Sequence, residues 1–289
     1  MKSIFCDWGT TNLRAFLLEN GKVIDVYSSS KGLKNARETG FGKVLGEVLI
    51  HFDAPINTPV RLSGMVGSKN GWKEAPYAYT PLSVDRMHQN SVTVDEFPNV
   101  EIFGGVCHEL PNGKKDVMRG EEVQVFGILE KFPHAEKICL PGTHSKWVTV
   151  RRAAIESFST WMTGDLFNSL SQHTIFKEQI SSNAFCRSSF ENGLAMAAEA
   201  GPFLNSVFHL RTEYLFGKVN SMQFHSCLSG FLIGSEVKDA AEDCEELIVC
   251  GSEAMMALYS LAMKHFGILA VEFPASEATV LGMQRITQD

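Results

Sequence analysis

The feature that most constrains this 289-residue chain is a pattern that occurs twice: an apolar strand, a turn built on Gly-Thr, two further strands, then a helix. In the first copy Ser3 to Cys6 leads into Asp7-Trp8-Gly9-Thr10-Thr11-Asn12, and Leu13 to Leu18 and Val23 to Ser28 follow as strands. Asn20-Gly21 between those strands is the strongest two-residue hairpin signal, because both residues tolerate a positive φ. In the second copy Lys137 to Leu140 is the strand and Pro141-Gly142-Thr143-His144-Ser145 the turn, with Lys146 to Val150 and Ile155 to Trp161 following. Gly142-Thr143 lies 133 positions after Gly9-Thr10, close to half the chain. Such a repeat predicts two similar α/β domains, each with a mixed sheet.

Both turns suit a phosphate. Glycine lets backbone N–H groups approach an anion with no Cβ in the way, and the threonine and serine hydroxyls add donors. An aspartate at a strand end, Asp7, can hold Mg²⁺, usually through its waters. An isolated turn of this kind is as well explained by an ordinary hairpin whose Asp and Thr satisfy the backbone; the recurrence favours phosphate.

Composition sets the class. A net charge of −7 lacks the basic face that non-specific nucleic-acid binding needs. It also requires a local basic pocket for any anionic substrate. Seven cysteines without a CxxC pair read as reduced thiols of a cytoplasmic protein. No uncharged apolar run reaches membrane-spanning length, and Asp7 interrupts the first apolar run before a signal segment could form.

Phe41, Val44, Leu45, Val48, Leu49 and Phe52 repeat at helical spacing. Val60 to Leu62 reads as a strand entering the loop Ser63-Gly64-Met65-Val66-Gly67-Ser68, which Asn70-Gly71-Trp72 continues. Trp72 either covers the core or, with Trp8, walls the apolar face of a sugar. Tyr77 to Asn90 reads as irregular, Val92 to Val94 and Glu101 to Val106 as strands, and Asp116 to Glu122 as the entry to a helix reaching Lys131. Asp116, Glu121 and Glu122 at that entry could simply complement the helix dipole. Arg119 and Gly120 in their midst are not explained that way. His144 reads first as a local hydrogen-bonder, and Lys146 as a phosphate contact or a solvated cation. Gly164 to His173 and three pieces between 184 and 238 read as helices. Leu247 to Cys250 is a strand running into Gly251-Ser252, followed by helices from Ala254 to Phe266 and from Ser276 to Arg285.

Several stretches together resemble the 2-dehydro-3-deoxygalactonokinase family, within the superfamily of acetate kinase, sugar kinases, Hsp70 and actin. They are Asp7 to Ala15, Leu62 to Ser68, Gly71-Trp72 with Glu74, Asp116-Val117-Met118-Arg119-Gly120-Glu121-Glu122, Leu140-Pro141-Gly142-Thr143-His144-Ser145-Lys146-Trp147, and Met162 to Phe167. The resemblance implies two ribonuclease-H-like (actin-like ATPase) domains with mixed sheets and a cleft between them. Residues 1–120 would bind sugar acid and carry the first phosphate loop, with 276–289 returning to them, and 121–275 would bind nucleotide.

It further implies ATP and Mg²⁺, with Asp7, Gly9, Thr10, Thr11, Gly142, Thr143, His144 and Ser145 at the phosphates, Asp7 at the metal, and Gly251 and Ser252 at the adenosine. The sugar acid would sit against Ser63, Gly64, Gly67 and Trp72. A kinase acting on a hydroxyl needs a carboxylate to accept its proton, Asp116 or Glu121, and a guanidinium for the acid's carboxylate, Arg119 or Arg14. The implied partners are small molecules, not nucleic acid or membrane; the oligomeric state stays open. The implied reaction phosphorylates the terminal hydroxyl of 2-dehydro-3-deoxy-D-galactonate. The rivals are a kinase of another hexonate or keto sugar, and a nucleotide-binding regulator of the Hsp70 or actin type.

Overall fold

Short apolar runs separated by Asn-Gly dictate a meander at the start of the chain. In the computed structural model, which describes residues 2–287, β1 (Lys2–Trp8), β2 (Leu13–Glu19) and β3 (Lys22–Ser29) pair antiparallel. Asn20 and Gly21 hold the connecting turn at φ 51° and 76°. β1 continues through Asp7 and Trp8, so the bend is Gly9 to Asn12 and not Asp7 to Thr11. α1 (Leu33–Thr39) was not legible in the sequence: it buries only Leu33 and Ala36 and has no apolar stripe. α2 (Phe41–His51) does have one, burying Val44, Leu45, Val48 and Leu49.

β4 (Val60–Gly64), β5 (Tyr77–Tyr79), α3 (Val84–Met87), β6 (Val92–Val94), β7 (Phe97–Ile102), β8 (Gly105–Glu109) and β9 (Lys115–Met118) follow. The run Glu101 to Val106, expected as one strand, is two. Gly104 separates them at a place where a Cβ would meet the Pro76 carbonyl oxygen at 2.2 Å, and β8 joins another sheet. Tyr77 to Asn90 is likewise more ordered than expected, because β5 is completed by its partner β8.

α4 (Glu121–Lys131), β10 (Lys137–Leu140), β11 (Ser145–Arg151), β12 (Ala154–Trp161), α5 (Thr163–His173), α6 (Arg187–Glu199), α7 (Phe203–Leu215) and α8 (Phe224–Ala240) come next. The chain continues through β13 (Glu246–Gly251), α9 (Glu253–His265), β14 (Leu269–Pro274) and α10 (Ala275–Ile286).

One sheet has the order β3-β2-β1-β4-β7-β6, another β12-β11-β10-β13-β14, and a small one β5-β8-β9. The two large sheets share one plan. A first strand lies between its antiparallel second and a parallel fourth, β1 beside β4 and β10 beside β13. The Gly-Thr bend after each first strand therefore lies beside the carboxyl end of the fourth, where open α/β sheets bind ligands.

The chain divides into two compact units. One comprises residues 1–136, 148–158 and 275–289, the other 137–147 and 159–274. α4 groups with the first of these units. α10 also groups there; Gln288 and Asp289 lie outside the described residues.

α4 and α10 touch backbone to backbone. A Cβ on Gly127 would lie 1.9 Å from the Ala278 carbonyl oxygen, and one on Gly282 would lie 1.8 Å from that of Val123. Gly127→Ala is expected to destabilise the protein by on the order of 3 kcal/mol, since two helix backbones must separate to admit the methyl. Urea unfolding measures this; a variant within about 0.5 kcal/mol of the parent would show that the helices part freely.

Candidate active site

The first bend is fixed by hydrogen bonds that leave its amide edge outward. The Gly9, Thr10 and Thr11 carbonyls accept from Leu33, Lys34 and Gly32 at 2.9, 3.2 and 2.9 Å, at the start of α1. In a trans peptide the N–H opposes the C=O, so the N–H groups of Thr10, Thr11 and Asn12 point away from α1. All three residues are exposed. The close approach requires Gly32, whose Cβ would lie 2.3 Å from the Thr11 carbonyl carbon. Three successive outward amides form an anion-binding concavity.

The second bend is built the same way. Thr143 O accepts from Asp165 N at 3.0 Å, at the start of α5, and a Cβ on Gly164 would lie 2.6 Å from Gly142 O. Thr143 and His144 are exposed, and His144 Nε2 lies 3.6 Å from Asp165 Oδ2. Two residues depart from the expectation. Ser145 is fully buried, its hydroxyl 2.9 Å from Tyr259 Oη, so it shapes the bend from behind. Lys146 is buried at 4% exposure, not solvated, and its Nζ donates back to His144 O at 3.2 Å. A Cβ on Gly251, at the end of β13, would stand 3.7 Å from Pro141 Cδ, and Ser252 caps α9 by accepting from Met255 N.

Beside the first bend the carboxylates gather. Asp7 pairs in register with Arg14 across the hairpin and with Ser63 on β4. Gly64 and Gly120, at φ 90° and 109°, leave space around its carboxylate, and their Cβ atoms would stand 3.4 and 4.0 Å from Asp7 Oδ1. Burial pushes the Asp7 carboxyl up to about 6; the Glu121 charge adds to the rise and Arg14 opposes it. Glu121 opens α4 after Gly120, and its Oε2 accepts from Arg119 N at 2.9 Å. Glu122 is fully buried and accepts from Gly120 N at 2.8 Å on each oxygen. Asp116 is not at the helix start: it lies in β9 opposite His108 and accepts from Val117 N. Its register belongs to the small sheet.

Arg119 is the conspicuous cation. It is buried at 8% exposure, its Nη2 donates to Ala75 O at 2.9 Å, and its Cζ stands 4.3 Å from the centre of the Tyr77 ring. Nε and Nη1 have no hydrogen-bond partner. Gly67 makes room for it: a Cβ there would lie 3.1 Å from Nη1. Arg14, by contrast, is exposed. Ser63 is buried in β4. Trp72 stacks on Phe41 at 5.9 Å and meets Trp8 and Phe97 edge-on, so it serves the aromatic core; Trp8 is fully buried.

Among the described residues no group of three or more His, Cys, Asp or Glu side chains could hold a metal ion. The site fits an ion that keeps its waters and leans on phosphate, with one carboxylate from the protein, the habit of Mg²⁺. A cation would also relieve the repulsion between Asp7 and Glu121.

Residues 7–286 match the sequence model of the 2-keto-3-deoxy-galactonokinase family. The chain belongs to that family. It is 30% identical over 286 residues to the 2-dehydro-3-deoxygalactonokinase of Escherichia coli (strain K12), covering 98% of this chain and 96% of the relative. A Rhizobium meliloti (strain 1021) protein named as a candidate for the same activity is 31% identical over 288 residues, covering 96% and 94%. The crystal structure of a Sinorhizobium meliloti protein described in the same terms superposes with a TM-score of 0.93 at 28% identity, covering 99% of this chain and 98% of that one. The ADPNP-bound activator of a Clostridium difficile 2-hydroxyisocaproyl-CoA dehydratase shares the fold, with TM-score 0.54 at 12% identity over 98% and 92% of the two chains. The fold class is therefore that of the actin-like ATPases and sugar kinases.

Sequence reasoning missed Gly32, Tyr77 and the buried placement of Ser145 in this galactonokinase-family chain. It read Glu122 as a helix-dipole acid and not as a buried one, and the burial has a testable signature. Burial pushes its carboxyl up to about 8, from 4.5 when exposed; the neighbouring Glu121 charge adds, and the Gly120 N–H opposes. Between those values the folded state holds a proton that the unfolded state has released. The contribution to stability is therefore full below pH 4.5 and is lost as pH rises through about 8. Glu122→Gln keeps an acceptor for Gly120 N–H but cannot titrate. Its Tm is expected to fall less than the parent's between about pH 5 and pH 8.5, measured by calorimetry. Equal slopes would place the titration elsewhere.

Proposed function

We propose that the chain is an ATP-dependent kinase that transfers the γ-phosphoryl group to the terminal 6-hydroxyl of 2-dehydro-3-deoxy-D-galactonate, giving 2-dehydro-3-deoxy-6-phosphogalactonate. The carrying observation is family membership across residues 7–286, with a relative named for that activity aligned over nearly its whole length. Its partners are ATP and a small sugar acid, and its place is the cytoplasm; among the described residues no helix is long and apolar enough to cross a membrane.

The amides of Thr10 and Thr11 donate to phosphate from the first bend, with Gly9 leaving the approach open. Gly142, Thr143 and His144 do the same from the second. The small surface at Gly251 and Ser252 admits the adenosine. Mg²⁺, when bound, neutralises phosphate charge, and Asp7 is the carboxylate that would hold it. On the first unit, Arg119 takes the carboxylate of the sugar acid, near Gly64 and Gly67. Glu121 accepts the proton of the attacking hydroxyl as the oxygen–phosphorus bond forms and the bond to the ADP oxygen breaks. Glu121 is preferred to Asp116 because its charge is felt at Asp7, beside the phosphate bend. Phosphoryl transfer needs little more than positioning and charge neutralisation.

The test is phosphate transfer from ATP with a panel of sugar acids, products followed by phosphorus NMR. ATP consumption that depends on a 3-deoxy-2-keto acid, with a new phosphomonoester, is the expected result. Turnover indifferent to every acid would overturn the reading.

A further inference from the structure

Behind the second bend lies a buried carboxylate. Glu236, in the middle of α8, is 2% exposed. It accepts from Trp147 Nε1 at 2.8 Å and from Tyr259 Oη at 2.7 Å, and it is hydrogen-bonded by the hydroxyls of Ser145 and Thr163. Ser145 also reaches Tyr259 Oη at 2.9 Å. The donors come from β11, α5 and α9, so one side chain of α8 ties three other elements together.

One of those ties ends on the bend itself and another on the helix start that holds it. Ser145 is its last residue. Thr163 opens α5, whose Asp165 N–H holds the Thr143 carbonyl. The direction of the Thr143–His144 peptide, and hence of the His144 N–H, is set at both ends by groups that Glu236 fixes. A carboxylate has about four acceptor positions, and groups from four residues converge on them here; an apolar residue at 236 would strand the buried Trp147 N–H and unmake the network. A purely packing role would not need a charge in this place, since burying one is costly unless every lone pair is satisfied.

We propose that Glu236 is a positioning residue for nucleotide phosphate: through Ser145 and Thr163 it holds the second bend in the shape that presents its amides to the anion. This rests on the reading that the second bend contacts phosphate.

The experiment compares binding of ATP and of adenosine, by calorimetry, in the parent, Glu236→Gln, Tyr259→Phe and Thr163→Val. Gln at 236 offers one acceptor in place of two and turns an NH₂ towards the donors. Phe and Val each delete a single hydroxyl at nearly constant shape, and they serve if the Gln variant fails to fold. The expected result is an ATP Kd raised about tenfold in the variants, the size of losing one charge-assisted hydrogen bond, with the adenosine Kd and the sugar-acid KM within about twofold of the parent. An equal rise for ATP and adenosine would mean general loosening and would overturn the proposal, as would folded variants with unchanged ATP Kd. A parent that binds ATP no more tightly than adenosine would instead refute the phosphate role of the bend.

Discussion

Glu121→Gln is expected to lower kcat by about 10²–10⁴-fold, the range that a positioned general base supplies, while changing the KM for sugar acid and ATP by no more than about threefold. The substitution is clean because Gln retains an oxygen to accept the Arg119 N–H, which Glu121 Oε2 now takes at 2.9 Å. The start of α4 is thus preserved, while proton acceptance is lost together with the charge that Asp7 and Glu122 feel. Asp116→Asn is the companion variant. Asp116 sits in β9 and caps its own neighbour Val117, so its kcat is expected to stay within about threefold of the parent. Steady-state kinetics on both variants decides between the two acids. A Glu121→Gln enzyme with near-parental kcat, beside a crippled Asp116→Asn, would reverse the assignment.

The second large effect concerns Arg119. Replacement by Met should raise the KM for the sugar acid by about 10²-fold, equivalent to roughly 2.7 kcal/mol and within the reach of a charge-assisted hydrogen bond to a carboxylate. The same variant should hold its Tm or gain on the parent. A buried guanidinium with Nε and Nη1 unpartnered carries a desolvation cost that thioether packing on Tyr77 does not. Binding sites commonly keep a group that costs stability when empty. The decisive control is the amide of the sugar acid. The parent should bind acid far better than amide, whereas the Met variant should treat them alike. A variant that keeps the preference for acid would move the carboxylate contact to another cation, with Arg14 first in line.

How much of this was written in the sequence follows from the range of the interactions. Elements fixed by neighbours along the chain were legible: the meander around Asn20-Gly21, α2 with its stripe, β10 to β12, and the strand into Gly251. Elements fixed by distant partners were not. α1 buries two residues and is anchored by the carbonyls of Gly9 to Thr11. β9 exists through its pairing with β8, and β14 through β13.

The site divides along the same line. That Gly9 and Thr10 form a bend at the end of the strand that carries Asp7 is local. That Ser145 faces inward depends on Tyr259, and that Arg119 is pinned depends on the Ala75 carbonyl. Asp116 and Glu121 were indistinguishable because three acids stand within seven residues, and the helix start among them is set by Gly120 at φ 109°.

At Gly127 and Gly282, where α4 meets α10, peptide groups rest directly on peptide groups, without the compressible layer of side chains that lets most helices shift by small repacking. Such a joint is stiff. A disturbance at these two points of α10 is expected to move α4 with it, and with α4 the Glu121 at its head. Changes on the far face of α10 should therefore register in turnover before they register in melting, which gives engineers a handle on rate at a distance from the reacting groups.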